Sequence, residues 1–235
     1  LIGVNMKKIK KTAVIISTIM ILMGILAFLL LFPFIYIYVG VLEEGNTGMR
    51  NTKWEKLSVK YSIFNFQKKH TLSYAVPSLY LSGEYETMLD YIHKLEKLGI
   101  NEKNYDALAS NAYLQLGDFG NALKYAQLSE QTVQLLKVYI KMNDLDNSKK
   151  MLAELFKGNH VRAFSYLYKA EVEIMEKNYS SAYKDINYVL KSHPKSVDAW
   201  KVKAEIAKSL GYKKEYSECI EQLANLEKNK NGKSN

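Results

Sequence analysis

The sequence predicts an all-α protein in which a single N-terminal transmembrane helix precedes a solenoid of about five irregular helical hairpins. Three observations support this fold class. Residues 12–42 form a run of 31 residues without a charged side chain. In the rest of the chain, apolar residues recur at the spacing of one helix face. In the same part, small residues, a short turn and an aromatic ring recur together at intervals near 34 residues.

The charge-free run is long enough to cross a membrane. As a helix it extends about 46 Å, and a span requires only about 20 apolar residues. We therefore expect a span from Ala13 to about Phe34. Phe32, Tyr36 and Tyr38 then lie with Phe34 at the far end, where aromatic rings favour the membrane interface.

A cleaved signal peptide is the main alternative for this run. Secretory signals have about 7–15 apolar residues followed by an A-x-A-like site. This run is longer, and no such site occurs in residues 39–48. The only cysteine is Cys219, so the run lacks a lipoprotein cysteine and the chain lacks an intramolecular disulfide. We expect an uncleaved anchor.

The charges on either side of the run predict its orientation. Lysines precede it at positions 7, 8, 10 and 11, whereas Glu43 and Glu44 follow it. Lysine and arginine tend to stay cytoplasmic, although basic residues at positions 50, 53, 56 and 60 weaken the difference. We expect a single-pass protein of the cell membrane with a cytoplasmic N-terminus and extracytoplasmic repeats.

The chain divides into five expected segments. They are a basic N-terminal flank (1–12), the transmembrane anchor with its aromatic interface (13–41), a polar linker (42–53), the helical solenoid with a leading helix (54–228) and a basic disordered tail (229–235). Met6 and the lysines after it are typical of a translation start, so LIGVN is either an extension or the product of an alternative start.

One complete hairpin is readable in residues 163–200. Two helices joined by a short turn approach closely only where side chains are small, so Ala170 and Ala182 mark the crossing. An Asn-Tyr turn lies between them, Pro194 closes the unit and Trp200 opens the next one.

This pattern resembles the tetratricopeptide repeat (TPR), which has an early Trp, small residues at the helix contact, a ring after the turn and a terminal Pro. The resemblance covers about residues 71–228. It places the residue after each turn at Tyr85, Phe119, Leu145, Tyr179 and Tyr216, with separations of 34, 26, 34 and 37. We therefore expect one unit that is eight residues short and about three extra residues in the last turn.

The resemblance also predicts which residues face each other where the helices cross. The pairs are Val76 and Met88, Ser110 and Ala122, Leu136 and Ser148, Ala170 and Ala182, and Ala204 and Cys219. Met88 and Leu136 are bulky, so the first and third hairpins should pack more loosely or cross at a different angle. In the short unit, Ser129 is expected to cap a new helix, which leaves only about two turns in the helix before it.

The segment before the first hairpin predicts a leading helix. Trp54, Leu57, Tyr61 and Phe64 fall on one helix face and are expected to cover the exposed end of the array. Docking of Trp54 and nearby lysines on the membrane surface is the alternative. The first helix of the first hairpin is expected from about residue 71, and it either starts or bends at Pro77.

The composition argues against nucleic-acid binding and catalysis. The net charge of +9 falls to +2, with 26 basic and 24 acidic residues, once seven lysines of the two ends are set aside. Nucleic-acid binding requires a clustered basic face. His70, His93, His160 and His193 have no metal-ligand spacing, and no phosphate-binding or nucleophile motif occurs. Glu171 and Glu173 are expected to be solvent-exposed, so we expect neither an enzyme nor a cofactor.

The resemblance implies a concave groove, lined by the first helix of each hairpin, that takes a peptide or helix of a partner. By position, this groove contains Leu108, Asn111, Leu114, Gln134, Lys137, Lys141, Tyr168 and Glu171, with Ala107, Gln115 and Met175 beside them. Only Asn111 and Lys137 match the family's carboxylate clamp, so no clamp is expected. The same residues are also compatible with a generic surface.

The expected function is that of a membrane-anchored adaptor or scaffold that binds a protein or peptide partner in an envelope complex. The alternative is a structural subunit that stacks on itself or on an enzyme through the ends of the array. The two differ in whether the groove or the array ends carry the contact.

Overall fold

The computed structural model describes the backbone of residues 2–47, 51–157 and 162–231, and the side chains of residues 14–44, 51–157 and 162–228. In these ranges the regular structure consists of twelve helices. They are α1 (Ile2–Thr47), α2 (Lys53–Lys60), α3 (Asn65–Leu81), α4 (Tyr85–Lys97), α5 (Lys103–Gln115), α6 (Phe119–Ser129), α7 (Thr132–Lys141), α8 (Leu145–Lys157), α9 (Ser165–Met175), α10 (Tyr179–Ser192), α11 (Val197–Ser209) and α12 (Lys213–Asn231). The expected end of the third hairpin near Gly158, and His160, lie outside the described residues.

The chain forms two compact units, Leu1–Ile100 and Asn101–Asn235. The first contains α1 to α4 and the second contains α5 to α12. Helices are paired as hairpins in both units: α3 with α4, α5 with α6, α7 with α8, α9 with α10 and α11 with α12. The all-α fold class and the hairpin array predicted from the sequence are confirmed.

Every hairpin turns through the same backbone motif. The residue just beyond the first helix is left-handed in all five: Gly83, Gly117, Asn143, Lys177 and Gly211, with φ between 56° and 76°. The residue after it donates its N–H to a carbonyl five positions earlier: Glu84 to Leu79, Asp118 to Tyr113, Asp144 to Tyr139, Asn178 to Glu173 and Tyr212 to Ala207, at 2.8–2.9 Å. This is the Schellman helix ending, in which the left-handed residue stops the helix.

These left-handed residues correct the expected register of the fifth hairpin. They follow one another at 34, 26, 34 and 34 residues, so the last turn contains no extra residues. Helix α12 begins at Lys213, which occupies the position that Tyr179 occupies in the fourth hairpin. Tyr216, not Cys219, is therefore the counterpart of Ala182. Cys219 lies one turn further along α12 and is fully buried in the core, as its small apolar character favours.

The short unit loses its eight residues in three places. Helix α6 has 11 residues and α7 has 10, whereas α4 and α5 have 13 each. Only Glu130 and Gln131 separate α6 from α7, whereas residues 98–102 separate α4 from α5. Ser129 is the last residue of α6 and donates its hydroxyl to the carbonyl of Ala126. The expectation that Ser129 caps a new helix after only two turns was wrong, because left-handed Glu130 ends a helix of three turns.

The crossing positions of the first four hairpins are buried completely. Both members of each expected pair have no exposed surface: Val76 and Met88, Ser110 and Ala122, Leu136 and Ser148, Ala170 and Ala182. In the second hairpin the contact is direct, because the Ser110 hydroxyl donates to the Ala122 carbonyl at 2.9 Å. The looser packing or different crossing angle expected of the first and third hairpins stays a prediction.

The first unit is built on α1. Residues Val14–Glu44 form a helix long and apolar enough to cross a membrane, and its most apolar part is not covered by the protein. By length and composition it is a candidate membrane span or signal sequence. Pro33 lies inside α1, and around it the helix contacts both α2 and α3.

Aromatic rings join the second half of α1 to α2 and α3. Phe32 packs edge-on against Tyr61, and Tyr36 stacks on both Trp54 and Tyr61, with ring centroids 5.5–6.2 Å apart. Gly40 permits this approach, because a Cβ there would lie 3.0 Å from the Trp54 Cβ. Rings expected at the membrane interface thus contact protein, and α3 of the first hairpin contacts α1 directly.

Two expectations for this region were wrong. Helix α2 ends at Lys60 and Phe64 is the N-cap of α3, so Phe64 does not belong to a leading helix with Trp54. Helix α3 begins at Asn65, six residues before the expected start, and Pro77 lies inside it. The helix therefore does not start at Pro77.

Candidate partner-binding groove

The second unit has an inner face and an outer face. Each first helix contacts the next one along the chain: α5 contacts α7, α7 contacts α9, and α9 contacts α11. In the described part of the chain, no second helix contacts the next second helix. Because the first helices lie closer together, the array curves toward them. Their free faces line the concave side of the unit, which we call the groove.

A row of polar side chains crosses the groove. The residue six positions before each left-handed turn residue is Asn111 on α5, Lys137 on α7, Glu171 on α9 and Glu205 on α11. We call these four residues the polar row. Equal positions in successive repeats lie side by side in a solenoid, so the polar row runs across all four helices.

Lys137 is at the centre of the groove. Its Nζ lies 3.5 Å from the Asn111 Oδ1 and 5.9 Å from the centroid of the Tyr168 ring, within the range of a cation–π contact. Burial lowers the pKa of Lys137, and the negative charges of Asp198 and Glu171 oppose this effect. The side chain is therefore a partly desolvated cation that neighbours from three helices hold in place.

Glu171 occupies the acidic side of the groove. The pKa of its carboxyl group is raised to about 7, mainly by burial; Lys141 and Lys137 act to lower it, and Asp198 and Glu205 act to raise it. Asp198 and Glu205 both belong to α11 and are exposed. The groove is thus cationic near α7 and acidic between α9 and α11.

Solved structures show which known fold this array shares. A tetratricopeptide repeat protein from Parabacteroides merdae ATCC 43184 aligns with a TM-score of 0.61 and 15% sequence identity, over 84% of this chain and 78% of that one. The fold is TPR-like. No protein-family model matches the sequence, and no curated protein matches it.

Two further solved structures align less closely than this. MamA RS-1, as the ArsTM double mutant, has a TM-score of 0.48 and 12% identity, over 70% of this chain and 97% of that one. The TPR2AB domain of yeast Sti1, in a complex with pHSP90, has a TM-score of 0.39 and 17% identity, over 78% of this chain and 85% of that one.

Five of the eight sequence-predicted residues lie near one another on the first helices α5, α7 and α9. Asn111, Lys137 and Tyr168 are in contact, and Glu171 interacts electrostatically with Lys137 and Lys141. Sequence reasoning placed them correctly on the first helices, because the small-residue pattern fixed the register of the second, third and fourth hairpins.

The other three predicted residues lie in different surroundings. Leu114 packs against the core formed by Ala122, Ala126 and Val138, so it is not part of the groove surface. Leu108 is half-buried, one turn before Asn111 on α5. Gln134, one turn before Lys137, is 7% exposed, and its Oε1 has no hydrogen-bond partner among the described residues.

Sequence reasoning missed Asp198 and Glu205. Glu205 lies 34 residues after Glu171, so the period itself predicts its place in the polar row. The residues expected in the groove belong to the second, third and fourth hairpins, so the first helix of the fifth hairpin was not included. Asp198 lies in the first turn of α11, at a position where the repeat pattern does not predict a polar residue.

Glu173 corrects a further expectation, since it is buried and not exposed. Its Oε1 lies 3.1 Å from the Lys169 Nζ and accepts the Ser181 hydroxyl at 2.6 Å, and Lys169 also pairs with Asp185. These contacts join α9 to α10 inside the TPR-like hairpin, so Glu173 is a structural residue. Among the residues that the structure describes, no group of three His, Cys, Asp or Glu side chains could bind a metal ion.

Proposed function

We propose that this protein is a membrane-anchored adaptor or scaffold whose groove binds an extended segment of a protein partner in an envelope complex. The observation that carries the proposal is the polar row, in which four helices present Asn111, Lys137, Glu171 and Glu205 on one concave surface. A solenoid uses such a concave surface for extended ligands.

The charges of the groove specify the chemistry of the segment. Lys137 is partly desolvated, so an acidic group of the segment placed near α7 and α5 gains a charge-assisted hydrogen bond. Glu171, Asp198 and Glu205 favour a basic group near α9 and α11. We therefore infer a segment that carries an acidic residue and a basic residue in this order across the groove, with an amide or hydroxyl donor for Gln134 Oε1.

The membrane part of the proposal rests on α1. The helix is long and apolar enough over Val14–Glu44 to cross a membrane. Its apolar run is longer than the hydrophobic region of a secretory signal peptide. Four lysines precede this range, and two glutamates end it. These features support a single span with a cytoplasmic N-terminus and with the repeats outside the cytoplasm.

Site-specific photo-crosslinking in intact cells tests the groove. A crosslinking amino acid replaces Tyr168 on α9 in one version of the full-length chain, and Tyr188, an exposed tyrosine on the second helix α10, in the other. We expect a defined partner adduct from position 168 and none from position 188. An adduct from position 188 alone would contradict groove binding.

Charge reversal adds a second arm to this experiment. Lys137→Glu combined with Glu171→Lys keeps the net charge and inverts the pattern, so the adduct at position 168 should be lost. The control variant Lys150→Glu changes an exposed lysine of α8 and should retain it. An adduct that survives the double reversal would favour contact through the array ends, which is the structural-subunit alternative.

A further inference from the structure

An exposed apolar patch lies at the turn between α2 and α3. It consists of Tyr61, Ile63, Phe64 and Phe66, which we call the shelf. Ile63 is 57% exposed and Phe66 is 54% exposed, and the Phe64 and Phe66 rings stack on each other with centroids 5.9 Å apart. Large apolar side chains clustered in this way mark an interaction surface.

The shelf is fixed beside a particular level of α1. The Gln67 Nε2, three residues after Phe64, donates to the carbonyls of Leu29 and Leu30 at 2.9 and 2.8 Å. Tyr61 packs against Phe32 of α1. The exposed surface of α1 at the same level is also apolar, because Phe28, Leu31 and Ile35 are all exposed there. The shelf therefore continues the apolar surface of α1 sideways.

The length of α1 places this level at a membrane boundary. From Val14 to Phe28 the helix rises only about 21 Å, whereas the hydrocarbon core is about 30 Å thick. A bilayer that covers the start of the apolar run must therefore extend to about Pro33. That is the level at which Gln67 and Tyr61 hold the shelf.

Four backbone N–H groups at the turn between α2 and α3 are already satisfied by hydrogen bonds inside the protein. The N–H groups of Ile63 and Phe64 both donate to the Gln67 Oε1 at 3.0 Å. Those of Tyr61 and Ser62 donate to the carbonyls of Leu57 and Val59. Unsatisfied backbone groups oppose transfer out of water, and the loop lacks this penalty at these four positions.

Charged residues flank the shelf on the protein side. Lys60 precedes it and lies over the Tyr61 ring, while Lys68 and Lys69 follow it on α3. Aromatic and aliphatic side chains bordered by lysines are typical of surfaces that enter the headgroup region of anionic bilayers.

We propose that the shelf inserts into the headgroup and outer acyl region of the same membrane that α1 spans. The chain then has two membrane contacts, the span of α1 and the shelf. The shelf fixes the depth and the rotation of the first unit relative to the membrane. This inference rests on the proposed membrane anchor.

Depth-dependent quenching tests the inference on the full-length chain. In a Cys219→Ala background, single cysteines replace Phe66 in the shelf, Ile21 in α1 and Leu81 at the far end of α3, and each carries a polarity-sensitive fluorophore. Leu81 is the matched control, since it is 70% exposed and lies about 22 Å from Phe66 along the helix. The protein is reconstituted in vesicles of equal parts phosphatidylcholine and phosphatidylglycerol, with nitroxide-labelled lipid as quencher.

We expect lipid quenching at positions 21 and 66 to exceed that at position 81 several-fold. Quenching at 21 with position 66 equal to 81 would overturn the inference and leave the anchor intact. Protection of position 66 from aqueous iodide without lipid quenching would show that protein covers the shelf, which also overturns it. Absence of quenching at 21 would contradict the anchor itself.

Discussion

Gln67 of α3 supplies the hydrogen bond that Pro33 removes from α1. Proline has no N–H, so the carbonyl four residues earlier, that of Leu29, loses its helical donor. The Gln67 Nε2 donates to this carbonyl and to that of Leu30, while its Oε1 accepts the N–H groups of Ile63 and Phe64. One fully buried amide thus joins α1, the turn after α2 and α3. The first unit depends on this residue for its hydrogen bonds as well as for packing.

We predict that Gln67→Leu weakens the first unit more than an ordinary side-chain hydrogen bond would suggest. The change leaves part-buried backbone groups of α1 and of the turn without partners, and each such group costs up to about 1–3 kcal/mol. Hydrogen exchange of the full-length protein in detergent should accelerate in α2 and α3, whereas α9 and α10 should exchange as in the wild type.

The double variant with Pro33→Ala separates hydrogen bonding from packing. Alanine returns an N–H to the Leu29 carbonyl, so the effect of Gln67→Leu should be about 1 kcal/mol smaller in this background. Equal effects in both backgrounds would show that Gln67 acts through its volume and not through the carbonyl that Pro33 leaves free.

Opposite substitutions at two turns should change stability in opposite directions. Lys177 adopts φ of 62°, which costs a residue with a Cβ about 1–2 kcal/mol, so Lys177→Gly should stabilise the fourth hairpin by about 1 kcal/mol. Gly117→Ala should destabilise the second by a similar amount, although a Cβ there meets no atom within 4 Å. Thermal unfolding measures both, and stabilisation by Gly117→Ala would refute the conformational account.

The sequence predicted the helical hairpins well because their signals are local. Small residues such as Ala170 and Ala182 recur where helices touch, and this spacing identified four of the five registers. The register predicted for the second helix of the fifth hairpin was wrong, because it depends on the ring of Tyr216 as its marker. The physical determinant of the turn is the left-handed residue, and Gly211 is visible at the correct position in the sequence. Lys177 could not have been identified in this way, because lysine carries no such preference.

The groove was predictable by position, and its electrostatics were not. Asn111, Lys137 and Tyr168 follow from the register alone. The half-burial of Glu171 depends on how close α9 lies to α7 and α11, which periodicity does not specify. The contact of α1 with the first hairpin was also hidden, because the apolar character of Phe32 and Tyr36 is equally compatible with lipid and with protein.

Residues at the helix crossings should tolerate replacement neither by larger nor by smaller side chains. Ala170 has no exposed surface in the core with Ala182 and Ile186, so Ala170→Leu should overpack the fourth hairpin and destabilise it by about 1–3 kcal/mol. At the equivalent position of the third hairpin, Leu136 packs against Met151 and Val172, and Leu136→Ala should cost about 2–5 kcal/mol through a cavity. Chemical denaturation measures both, and tolerance of Ala170→Leu would contradict close approach of α9 and α10.

Glu171 should make the second unit less stable as the pH rises from about 4.5 to about 7. Burial raises the pKa of this carboxyl group from 4.5 to about 7, so in this window the folded protein binds a proton that the unfolded chain has released. Stability is highest where the unfolded state also binds the proton, and it falls with rising pH by roughly 1–3 kcal/mol. Glu171→Gln, which cannot ionise, should remove this decline and leave the protein more stable than the wild type at pH 8.

The pH dependence of hydrogen exchange in α9 measures this effect on the full-length protein. The charges that face Glu171 are Lys137 and Lys141 on α7 and Asp198 and Glu205 on α11, and Glu171→Gln retains them all. Glu221→Gln on the exposed side of α12 removes the same charge away from the groove and should keep the wild-type slope. If the slope between pH 4.5 and 7 persists in Glu171→Gln, another group carries it and Glu171 is ionised throughout this window. If the slope disappears in Glu171→Gln but persists in Glu221→Gln, one carboxyl group of the polar row changes the charge of the groove near neutral pH. Capture of a basic segment should then strengthen as the pH rises through 7.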